Sequence, residues 1–277
     1  MKKSSIWFLL LFTLLSCKTN NSGNKEIINS NISNTISHTE DKGIIAQDSS
    51  SPFNIPKAIQ KYYSGLTFPM DNKKLYEELA AHTISKHTNF LGYGERHKYL
   101  YNIDEDPQNE KNVILIYSGN SRNKKEYSSG KNPHKIQTFN TEHVYPQSKI
   151  QNTARGDLHH LRVCDQKINS QRSNHPFTEG KGVYKLINGN SWYPGDEWKG
   201  DVARMIMYLN LRYNEPFSEV GNLDLFLKWN AEDTVSEIEK QRNMIIEKVQ
   251  GNRNPFIDNP YLATFIWGGK KAENRWE

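Results

Sequence analysis

The chain has 277 residues, with 36 Lys and Arg against 31 Asp and Glu for a formal net charge of +5, and 35% of its residues are apolar; the mean hydropathy is −0.81. That length supports one large domain or two small ones around a sizeable core, for which 14 Tyr, 11 Phe and six Trp supply bulk. Two cysteines allow at most one disulfide, so stability has to come chiefly from that core, with a bound metal as a further source, and the mild positive balance permits a polyanionic partner without demonstrating one.

Taken in chain order, the first element is an export signal. Lys2 and Lys3 form a basic start, and residues 6–15 form an apolar run too short to span a membrane well. The run ends in LLSC at 14–17, which resembles a bacterial lipobox and implies cleavage before Cys17 and lipid attachment to its sulfur. Leu15 is unusual at that place, so a plain secretory signal is the alternative. Loss of residues 1–16 leaves 34 basic against 31 acidic residues. Cys164 then stands alone and reads as a small buried hydrophobe. Residues 17–52 are dominated by Asn, Ser and Thr and read as a flexible tether, with a root-mean-square span of roughly 30 Å.

Folded structure is expected from Phe53 to the end, at 53–277. Leu75, Leu79 and Ile84 predict a helix over 72–90, and the apolar run at 113–117 predicts a buried strand closed by Ser118 and Gly119. Residues 120–135 read as a loop. Residues 138–141 read as a strand that ends near Pro146, and a second strand and a helix follow before residue 175. Val202, Met205, Ile206 and Leu209 predict a helix over Lys199–Tyr213. Asn222 caps another helix at 222–230. Thr234 and Glu237 read as a capping box for a helix that Gly251 stops, and Tyr261–Trp267 is a closing apolar segment. Helices therefore surround a small β-containing centre, and the class is α+β in a single domain.

The chemistry concentrates at 137–177. His143 titrates near neutrality and can take a proton from water; an isolated histidine is more often a surface or core residue. Glu142 beside it brings a hard anionic oxygen that suits Mg²⁺, though most glutamates are solvated surface residues. Asn169 offers an amide oxygen on the following helix, where a plain surface or capping role also fits. A strand, loop, strand and helix folded back within forty residues would bring Glu142 and His143 opposite Asn169.

The blocks NTEHVYP at 140–146, DLHHLR at 157–162 and INSQRSN at 168–174 resemble the central motifs of the bacterial endonuclease I family, a branch of the ββα-metal or His-Me finger nucleases. The similarity continues through KGDVARM at 199–205, RY at 212–213 and QGNRNPFID at 250–258, and reaches back to DEDP at 104–107 and IYSG at 116–119. The resemblance implies a ββα-metal finger within a mainly helical domain. It implies Glu142 and Asn169 as ligands of Mg²⁺, with Mn²⁺ or Ca²⁺ as substitutes, and His143 as general base. Arg172 and Arg204 lie in matching blocks, where a guanidinium could hold a phosphate; a structural pairing of Arg204 with Asp201 fits equally well. Asp157 and His159 are read as ordering the second strand, and His160 and His175 as surface residues. DNA is the implied substrate, with RNA a further one. Two other readings stay open: a zinc hydrolase built on His143, His159 and His160, against which stands the lack of HExxH and CxxC spacings, and a non-catalytic surface lipoprotein that binds polyanions.

Overall fold

The leader, Cys17 and the tether up to residue 51 lie outside the residues described by the structure, a computed structural model covering residues 52–277. Helix α1, Asn72–Lys86, starts where the Asp71 carboxylate accepts from the Lys74 N–H (2.9 Å) and buries Leu75 and Leu79. It stops four residues short of the expected end. The Thr88 and Asn89 N–H groups both donate to the Gln250 carbonyl instead of continuing the helix.

Strands β1 (Asn109–Ile114) and β2 (Ser121–Asn123) pair antiparallel, with a two-residue strand, Glu105–Asp106, on the other edge of β1. Residues 113–117 are buried as expected, or nearly so at Ile114, but the strand ends at that residue. Tyr117 and Gly119 take positive φ (71° and 67°), and the Gly119 N–H closes a turn onto Leu115. The predicted loop at 120–135 contains β2.

The centre is a hairpin and a helix. Strands β3 (Phe139–His143) and β4 (Leu161–Asp165) pair antiparallel with Glu142 opposite Arg162 and His143 opposite Leu161. Asp165 ends β4 and caps helix α2, Gln166–Arg172, accepting from the N–H groups of Lys167 and Ile168. Ser173 then turns to φ 50°, which leaves Asn174 beyond the helix. A second hairpin, β5 (Val183–Ile187) and β6 (Ser191–Gly195), is absent from the sequence reading.

Helix α3 occupies Lys199–Tyr213 with the predicted apolar face buried. Helix α4, Leu223–Glu232, has Asn222 as its N-cap (2.9 Å to the Leu225 N–H). Helix α5, Glu237–Gln250, ends at Gly251 in the left-handed region, but its capping box is Ser236 with Glu239 rather than Thr234 with Glu237. The pair shifts by two residues because Glu239 is also drawn inward by a buried arginine, Arg204. Helix α6, Tyr261–Trp267, completes the α+β domain. One apolar cluster lies around α3, α4 and the aromatics Trp192, Tyr193 and Trp229; a second, with Phe139, Leu158, Leu161 and Val163, backs the central hairpin.

A buried polar network ties that hairpin to the helices. The Asp157 carboxylate accepts from Tyr208 Oη (2.6 Å), Tyr213 Oη (2.8 Å) and Gln250 Nε2 (3.0 Å). His159 bonds the Asn252 carbonyl (3.2 Å). His160, expected at the surface, is fully buried and bonds the Ala154 carbonyl (2.9 Å), because the turn before β4 folds under the 154–156 segment. Burial pushes the His159 imidazole down to about 4, overcoming Asp157, which acts the other way. The unfolded chain, with an ordinary histidine near 6.5, therefore binds the proton first. Stability is complete above about pH 6.5 and falls as the pH drops toward 4, by about 3 kcal/mol from this residue alone. Burial lowers His87 and His160 in the same direction. The Glu142 carboxyl, raised to about 7, and the buried Asp201 act the other way, so the His159 share is read in EDTA as the difference in urea midpoint between the parent and His159→Gln, which should shrink from pH 6.5 to 5; a difference that stays constant over that range would contradict neutral burial.

Candidate active site

Strand β3 ends at His143, and both Glu142 and His143 face an open cleft of about 320 Å³ walled also by Thr141, Gln147, Ser148 and Asn169. A larger hollow of about 540 Å³ beside Trp198 contains none of the predicted ligands or the base. The smaller cleft is the chemical candidate, because there a carboxylate, an imidazole and an amide converge from β3 and α2.

Glu142 is 3% exposed. Its Oε1 accepts from the Tyr117 hydroxyl (2.9 Å) and pairs with Arg172 Nε (2.9 Å). No described residue bonds Oε2. Burial pushes the carboxyl up to about 7, with Arg172 and the Tyr117 hydroxyl acting against it. A carboxylate removed from water and only partly offset can gain from a cation. Asn169 Nδ2 donates to Asn140 Oδ1 (2.7 Å) and to the Thr141 carbonyl (3.2 Å), so its Oδ1 is the amide atom left without a described donor. Two hard oxygens, one from β3 and one from α2, fit Mg²⁺, which keeps several waters and needs few protein ligands.

His143 is 8% exposed. Its Nε2 lies 3.2 Å from the Arg155 carbonyl, which can only accept. Nε2 therefore carries the hydrogen and Nδ1 the lone pair. The near-neutral titration expected of His143 does not hold here: burial keeps the ring neutral, pushing its pKa down to about 3, with His160, Arg96 and Arg155 acting in the same direction and the Arg155 carbonyl opposing. The Tyr93 ring packs on the imidazole at 4.7 Å. Gly156 makes this support possible: a Cβ there would sit 2.0 Å from the Leu91 carbonyl oxygen.

The structure thus brings Glu142, His143, Asn169 and Arg172 together, but it corrects the expected use of the arginines. Arg172 is wholly buried, and beyond Glu142 it donates to the carbonyls of Ser173, His175 and Val144 (2.9–3.0 Å). Its guanidinium is occupied in orienting Glu142 and is not free for a phosphate. Arg204 is fully buried on α3 and forms a bidentate pair with Glu239 (2.6 and 2.8 Å), with Asp201 only at 4.0 Å; it does not line the cleft. The zinc alternative lacks a ligand set, since His143, His159 and His160 turn Nε2 to three different carbonyls. Among the described residues no group of three or more His, Cys, Asp or Glu could hold a metal. Sequence reading missed Tyr117, Tyr93, Arg96 and Arg155. Only Tyr117 left a trace, as the polar-tipped end of an apolar run.

A family model described as Endonuclease I matches residues 71–261. The extracellular ribonuclease of Bacillus amyloliquefaciens is 42% identical over 210 residues, which is 66% of this chain and 71% of that protein. The extracellular ribonuclease of Bacillus subtilis (strain 168) is 40% identical over the same shares. An extracellular deoxyribonuclease of Aeromonas hydrophila is 28% identical over 117 residues, covering 39% of this chain and 51% of that protein. With the matched region spanning the whole ββα centre and helices α3 to α5, the chain belongs to the endonuclease I family and is a nuclease.

Proposed function

We propose that this nuclease is an exported, Mg²⁺-dependent endonuclease that hydrolyses DNA and RNA to 5′-phosphate ends with little base preference, with residues 53–277 as its catalytic domain. The observation that carries the reading is the convergence, in one cleft, of the free Glu142 Oε2, the free Asn169 Oδ1 and His143 with its Nδ1 lone pair. The relatives' names, extracellular ribonuclease and extracellular deoxyribonuclease, support export and both kinds of substrate. Lipidation at Cys17 would tether the enzyme to a membrane.

Glu142 and Asn169 would hold the ion, Mg²⁺ by preference with Mn²⁺ or Ca²⁺ as substitutes; when bound, it offsets the charge that builds on the phosphate and leaving oxygen. His143 Nδ1 accepts the proton of the attacking water. The Arg155 carbonyl, bonded to Nε2, stabilises the imidazolium that results and fixes the ring plane. Tyr117 and Arg172 hold Glu142 by one oxygen and so keep the other directed to the cleft.

Plasmid and RNA degradation in Mg²⁺, with EDTA as control, tests the activity; no cleavage in Mg²⁺ would refute it. Asn169→Ala and Glu142→Ala should raise the Mg²⁺ concentration needed for half-maximal rate at least tenfold, and both should weaken Mn²⁺ binding in calorimetry. Unchanged titrations would move the metal elsewhere.

A further inference from the structure

Arg172 and Arg204 are buried and spent, yet a nucleic-acid backbone beside His143 needs cations. Two other guanidiniums stand there. Arg96 is half-buried, donates from Nε to Thr141 Oγ1 (2.9 Å) and from Nη1 to the Tyr93 carbonyl (2.8 Å), and its Nη2 has no described partner. Arg155 is exposed; in the amide orientation that satisfies both groups, the Gln147 oxygen accepts from its Nε (3.2 Å) and Nη2 (2.6 Å). Thr141 and Gln147 are walls of the cleft that holds Glu142, His143 and Asn169. Both guanidiniums pack on the Tyr93 ring, 3.7 Å away for Arg96 and 5.7 Å for Arg155. Neither forms an ion pair with an acid among the described residues, whereas Arg122, Arg162, Arg172, Arg204, Arg242 and Arg253 all do.

We propose that Arg96 and Arg155, ordered by Tyr93, form a subsite for the backbone phosphate that flanks the scissile one. A planar guanidinium matches two phosphate oxygens, and an arginine already held by a ring and a hydrogen bond loses little freedom on taking them. The absence of a competing carboxylate leaves the charge for the ligand. The subsite rests on the nuclease reading, and it assigns binding, not proton transfer, to both side chains.

The test uses the full chain with His143→Ala to stop turnover. A labelled single-stranded oligonucleotide is titrated by fluorescence anisotropy across a range of KCl. Arg155→Gln and Arg96→Gln should each weaken binding about tenfold at low salt and reduce the slope of log affinity against log salt by about 0.7. Arg155→Lys should restore the slope but only part of the affinity. Mn²⁺ affinity should be unchanged throughout. If both arginines only support Tyr93 and the base, salt slope and affinity stay at the parent's values in both glutamine variants, and the subsite is refuted. Arg96 makes two internal hydrogen bonds, so its variant is judged only if its thermal midpoint is retained; Arg155 is exposed, and its variants decide the matter alone. A parent protein that binds no oligonucleotide refutes the proposed reading of this cleft as the nucleic-acid site, which is a different outcome from parental binding with unaltered variants.

Discussion

Replacing His143 with alanine is expected to lower kcat by about 10²–10⁴-fold, the usual contribution of a positioned general base. The neutral ring carries its lone pair on Nδ1 because the Arg155 carbonyl claims the hydrogen on Nε2. Removing the ring takes away the acceptor without touching Glu142 Oε2 or Asn169 Oδ1. Oligonucleotide and Mn²⁺ affinities should therefore stay within about twofold of the parent, since no charged contact to either is lost. Near-parental turnover would remove His143 from the role of base. A loss of Mn²⁺ binding equal to the loss of rate would make it a ligand instead.

Arg204→Ala is expected to destabilise the domain by about 3–5 kcal/mol, as breaking a buried ion pair does when one charge stays behind. Glu239 is 1% exposed, and Arg204 supplies two of its hydrogen bonds. The remaining partner, Ser236, caps α5, so the loss spreads to the start of that helix. Arg204 also donates to the Asp233 carbonyl (2.8 Å) and accepts Asn254 Nδ2 at its own carbonyl (3.0 Å), which joins α3 to the segment after α5. The thermal midpoint should fall by roughly 10 °C, while the folded fraction keeps its kcat. Arg204→Met with Glu239→Leu should recover much of the loss, because no charge is then stranded. An unchanged midpoint with abolished turnover would return Arg204 to the active site.

What the sequence determined by itself is what short-range forces decide. The bounds of Lys199–Tyr213, the Asn222 cap and the Gly251 stop follow from helical periodicity and from hydrogen bonds that reach three or four residues. The meeting of Glu142 and His143 with Asn169 was legible for a related reason: one hairpin and one helix, all within forty residues, leave few ways to fold, and the resemblance to a known family selected among them. What only the tertiary structure decided is which polar groups are spent and which are free. Tyr117 reaches Glu142 across 25 positions, Arg204 reaches Glu239 across 35, and Gln250 reaches Asp157 across 93. No local pattern encodes those pairings, because burial places each donor beside its acceptor only once the layers have packed. The same packing buried Arg172, Arg204 and His160 and left Arg96 and Arg155 bonded to the cleft walls Thr141 and Gln147. An arginine's residue type states that it carries charge; only its desolvation and its partners state whether that charge remains for a substrate.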